Sequence, residues 1–74
     1  DNISFEFMSG VLTATIYAPA NMKINSITNV KNAPSTTITN NGSAYTLGSS
    51  IAIGDILVTT VSTASVIKLN IQYV

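Results

Sequence analysis

The sequence predicts a small all-β domain, a sandwich of about seven short strands. Three observations predict it. Apolar and polar residues alternate with period two along most of the chain, the spacing of a half-buried strand. The alternating residues are Ile, Val, Thr, Tyr and Phe, which suit a pleated surface, and no stretch repeats apolar residues with a helical period. Clusters of Gly, Pro, Asn and Ser punctuate the runs at short intervals, as in sandwiches and small barrels. The 74 residues make one domain, residues 1–74.

The elements follow in order. Ile3, Phe5 and Phe7 alternate with Ser4, Glu6 and Met8, and Ser9-Gly10 turns the chain. Val11 to Tyr17 is the second strand, ended by Ala18-Pro19-Ala20-Asn21. Met22 to Val30 is the third; its alternation slips between Ile24 and Ile27, which predicts a bulge or a break there. Thr36 to Thr39 and Ser43 to Leu47 flank Asn40-Asn41-Gly42, and Asn-Gly predicts a tight hairpin because both central residues of a type I′ turn need positive φ. Ile51-Ala52-Ile53 is a short apolar step into Gly54-Asp55. Ile56 to Val61 follows, and Val66 to Tyr73 closes the set. Ile67, Leu69, Ile71 and Tyr73 face one way there, while Lys68, Asn70 and Gln72 face the other. An immunoglobulin-like sandwich fits best. That fold usually takes about 100 residues, so a neighbouring chain is a possible source of a missing strand.

Composition narrows the function classes. The chain has no cysteine and no histidine, so disulfides and Cys/His zinc sites are excluded. Small domains without such staples depend on good packing or on oligomerisation. Only 8% of residues are charged and the net charge is zero, against roughly 25% charged in an ordinary domain. The polar surface is Ser, Thr and Asn, which suits packing against copies or partners. Lys23, Lys31 and Lys68 stand far apart and no arginine exists, so there is no electrostatic footprint for nucleic acid. No apolar run approaches the ~18 residues of a membrane helix. A chain that starts at Asp1 is expected to be processed or part of a longer product.

Catalysis lacks its parts. Nothing pairs as two positioned carboxylates among Asp1, Glu6 and Asp55, and no histidine activates a serine or threonine. No enzymatic activity, cofactor or metal is expected. Asp55 follows Gly54 and reads as an Asp bonded to its own turn backbone; one carboxylate falls short of the roughly six to eight oxygens that calcium takes. Asn2-Ile3-Ser4 and Asn41-Gly42-Ser43 match the glycosylation triplet. Tyr17, Tyr45 and Tyr73 are candidates for a sugar-stacking platform, though strand tyrosines are more often half-buried core.

From Met22 onward the chain resembles small immunoglobulin-like modules of bacteriophage virion proteins and bacterial surface proteins. The residues that carry this are Met22-Lys23-Ile24-Asn25-Ser26-Ile27, Ala44-Tyr45-Thr46-Leu47-Gly48 and Ile53-Gly54-Asp55-Ile56-Leu57-Val58, with the alternating strand at the end. The resemblance covers about two-thirds of the chain and implies a structural or attachment role, in a virion or outside the cell, with no catalytic residues. The expected function is a structural or decoration module of a multi-copy assembly, a homo-oligomer or one subunit among others. The alternative is a glycan-binding or adhesion module. The expected contact residues are Val66, Lys68, Asn70, Gln72 and Val74, on the polar side of the last strand.

Overall fold

The alternation resolves into eight strands: β1 (Asn2–Phe7), β2 (Thr13–Tyr17), β3 (Met22–Lys31), β4 (Thr36–Asn40), β5 (Ser43–Ala44), β6 (Ser50–Ile51), β7 (Ile56–Val61) and β8 (Ser65–Tyr73). The computed structural model describes all of residues 1–74. Four antiparallel pairings join β1 to β8, β2 to β7, β3 to β6 and β4 to β5. They are the pairings of one long ribbon doubled back at the β4–β5 tip. Two more, β3 with β8 and β4 with β7, curl the ribbon onto itself. The product is two four-stranded sheets, a first of order β1-β8-β3-β6 and a second of order β2-β7-β4-β5. This is the strand order of an eight-stranded jelly roll.

The expected all-β sandwich is therefore the fold, but its strand order is not the immunoglobulin one. There the first strand lies beside the second in one sheet; here β1 pairs with β8. The count of seven becomes eight because Ser50–Ile51 forms a strand, and two residues are too few to display alternation. Each strand position of the jelly roll is filled by this chain, so no neighbour is needed to supply one. The predicted fifth strand is shorter than Ser43 to Leu47, since only Ser43–Ala44 pairs.

Local chemistry sets the bends. Asn41 and Gly42 have φ of 51° and 85°, the positive pair of a type I′ turn. A side chain at Gly42 would meet nothing within 4 Å, so a substitution there costs backbone strain alone. Gly42→Val is expected to destabilise by about 1–3 kcal/mol, read as a lowered midpoint in chemical denaturation. An unchanged midpoint would show that the tip tolerates another conformation. In β3 the register against β8 shifts between Ile24 and Ser26 and again between Asn29 and Lys31. The first shift is the expected bulge. It lets Ile27 rather than Ser26 follow Ile24 on the inner face, where it lies opposite Leu69.

The core between the sheets is Phe7, Ala18, Met22, Ile24, Ile38, Ile51, Leu57, Val61, Ile67, Leu69 and Ile71. β8 lies between β1 and β3 and supplies three of these residues, which makes it the spine of the fold. The two long sides of the sandwich differ. On the β5/β6 side the chain crosses between the sheets, and Tyr45 replaces a missing strand partner: its hydroxyl accepts the Ile24 N–H at 3.0 Å and donates to the Ser49 carbonyl at 2.6 Å. On the β1/β2 side no segment crosses alongside the strands. There Ile3, Phe5, Leu12, Ala14 and Ile16 pack against the core yet are only partly buried.

Candidate interaction surface

The register assigns each strand residue to a face. Alternate residues of the first sheet point outward in rows: Asn2, Asn70 and Ser26; Ser4, Lys68 and Thr28; Glu6, Val66 and Lys31. Gln72, Lys23 and Ser50 form a fourth row. All three lysines and Glu6 thus lie on this one face. The expected contact residues Val66, Lys68, Asn70 and Gln72 are brought together on it, along the central strand. Asn70 is half-buried and donates to the Asn2 Oδ1 at 3.3 Å. Val74 stands apart, beyond the end of β8. Its N–H donates to the Asn21 carbonyl, and its side chain lines a shallow groove with Met22, Ile51 and Asp55. Both backbone edges of β8 are occupied from Val66 to Ile71, so this stretch has no edge to offer a neighbour. Only its outer face remains.

The second sheet has an unlike outer face. No Asp, Glu, Lys or Arg occurs in β2, β4, β5 or β7. The outward rows are Thr13, Thr60 and Thr37, then Thr15, Val58, Thr39 and Ala44, then Tyr17 and Ile56. Adjacent strands stand about 4.8 Å apart, and the Thr13 and Thr60 hydroxyls approach to 3.5 Å. The surface is thus a field of methyls and hydroxyls, with exposed Tyr17 and Ile56 at one end. The sequence reading missed it. The signal was present in the Thr-x-Thr spacing at Thr13/Thr15 and Thr37/Thr39, which places both members of each pair on one face.

Asp55 holds the hairpin tip. Its Oδ2 accepts the Ala52 N–H at 3.0 Å and the Asn40 Nδ2 at 3.1 Å, and its Oδ1 accepts the Asn41 Nδ2 at 3.0 Å. Asn41 in turn accepts the Ile56 N–H through its Oδ1. The bond to Ala52 is the turn bond expected of Asp55; the two asparagines are additional. The asparagine of the Asn41-Gly42-Ser43 triplet is thereby engaged in the fold. The Ala52 N–H, then the Asn40 and Asn41 amides, hold the Asp55 carboxyl below its ordinary range. A depressed folded value contributes stability above the unfolded carboxylate pKa of about 3.9, and that stability is lost as pH falls through the folded value. Wild type is therefore expected to exceed Asp55→Asn in thermal midpoint at neutral pH, with the gap closing below about pH 4. A gap unchanged down to pH ~2.5 would show that the charge of Asp55 does not matter.

The three tyrosines do not share a platform. Tyr17 faces outward from the second sheet, Tyr45 is fixed between the sheets by its hydroxyl, and Tyr73 lies opposite Met22 at the end of β8. Glu6 is on the outer face of the first sheet and Asp55 is at the hairpin tip. No three acidic or metal-ligating side chains gather anywhere in the chain. No helix is long and apolar enough to cross a membrane. No protein-family model, curated protein or solved structure matches the chain.

Proposed function

We propose that the chain is a structural module of a multi-copy assembly, a virion or a similar extracellular array, and that it works by packing against copies of itself or fellow subunits. The observation that carries this reading is the segregation of charge. The outer face of the second sheet has no charged side chain in any of its four strands, while the lysines and Glu6 lie across the first. A neutral surface loses less hydration than a charged one when covered, and with net charge zero no net charge repels an approaching copy. Jelly rolls build viral capsids as well as lectins; that analogy of fold supports the reading without deciding it. The outer face of β8, with Val66, Lys68, Asn70 and Gln72, is the second contact surface of this proposal.

The lectin-like alternative has one observation in its favour, the exposed Tyr17 ring beside rows of hydroxyls. Sedimentation of the isolated chain separates the two. Assembly predicts species heavier than the 7.7 kDa chain at micromolar concentration. A monomer with ordinary thermal stability, together with hits on a glycan array, would replace assembly with binding.

A further inference from the structure

We infer that β2 is a dimerisation edge, pairing antiparallel with β2 of a second copy about a two-fold axis at Thr15. This rests on the assembly reading and names the contact. The backbone of β2 is free on one side. Leu12 accepts the Val61 N–H, and Ala18 donates to the Asp55 carbonyl. Because bonding alternates along an antiparallel pair, Ala14 and Ile16 face β7, and the N–H and C=O groups of Thr13, Thr15 and Tyr17 point away from it.

The other edges are guarded as natural edges are. β3 extends beyond the two residues that pair with β6, but that stretch contains the bulge before Lys31 and ends in a lysine. The outward groups of β1 include those of Glu6, with Asp1 at the other end of the strand. β5 is two residues long. β6 is likewise two residues long. Among the edge strands longer than two residues, β2 alone has no charge, no proline and no bulge.

The sequence of β2 fits its own copy. With Thr15 opposite Thr15 of the second copy, Ala14 meets Ile16 and Thr13 meets Tyr17, so inward residues meet inward and outward meet outward. Every free N–H and C=O of Thr13, Thr15 and Tyr17 then finds a partner. The second sheets of the two copies fuse into one, and the threonine rows continue across the axis. The partly buried Ile3, Phe5 and Ile16 line the same open side, so a second copy also covers apolar surface that this chain leaves uncovered. Such an interface is isologous and closes at two.

The test is sedimentation of the full chain with Thr15→Lys, Thr15→Glu and their equimolar mixture. Position 15 faces itself across the axis, and like charges directly opposite are unfavourable. Wild type is expected to dimerise, each variant alone to shift strongly toward monomer, and the mixture to recover the dimer. Thr15→Pro adds a backbone readout. It removes an outward N–H and no bond to β7, as an edge tolerates, so the dimer should be lost while circular dichroism stays that of the fold. A wild-type dimer that persists in Thr15→Lys, Thr15→Glu and Thr15→Pro overturns the β2 edge and leaves assembly standing. A wild-type monomer at high micromolar concentration overturns both.

Discussion

Leu69→Ala is expected to destabilise the domain by roughly 2–5 kcal/mol, the range for truncating a buried leucine that leaves a cavity. Leu69 is 1% exposed and sits mid-way along β8, opposite Ile3 on one side and Ile27 on the other. Neighbours held by two strand pairings have little freedom to collapse into the space. Only 14 of 74 residues are buried, so one core side chain carries a large share of a total that is about 0.05–0.15 kcal/mol per residue. In a domain of this size each kcal/mol moves the thermal midpoint by about 4–8 °C, so the variant should melt far below wild type. Asn70→Ala, one residue on, faces outward, and its change should stay within about 0.5 kcal/mol. Equal effects at the two positions would mean that the register of β8 is other than described.

Met22→Ala is the second large expected loss, again about 2–5 kcal/mol. Met22 is fully buried where three strands meet: it lies opposite Ile51 of β6 and Tyr73 of β8. It also forms the floor of the groove beside Val74, so its removal should loosen β6, which holds on through two residues. Met22→Leu conserves volume and should cost less than about 1.5 kcal/mol. The contrast in denaturation midpoints separates loss of volume from loss of the thioether. Similar losses in both variants would show that the sulfur or the flexible chain of Met22 is specifically required.

Much of the fold is legible in local pattern. The alternation of β8, the Asn41-Gly42 turn and the bulge after Ile24 each follow from a few adjacent residues. Strand order does not, because a one-sided apolar strand looks alike at the centre or the edge of an antiparallel sheet. For that reason the last strand could be read as a docking element, when β1 and β3 occupy both of its edges. β6 escaped because two residues show no period. The face of Val66, Lys68, Asn70 and Gln72 was readable because it lies on one strand. The threonine field needs Thr13, Thr60 and Thr37 from three strands, and the Asp55 lock needs asparagines 14 and 15 residues away. Neither neighbourhood exists until the strands have found their order.

The doubled ribbon also has a temporal consequence. Its tip closes across two residues, but its far end must bring Asn70 to Asn2, 68 positions apart. The entropy of closing so long a loop falls due before the contacts repay it, and folds ruled by such distant pairings form over milliseconds to seconds, slower than helical bundles. During that interval β2 waits for β7, with an uncharged strand bare on both edges. In a crowded nascent population the same strand, like the uncharged β7 it waits for, is open to mispairing, so the chain's rate of reaching its native state bears on its tendency to aggregate.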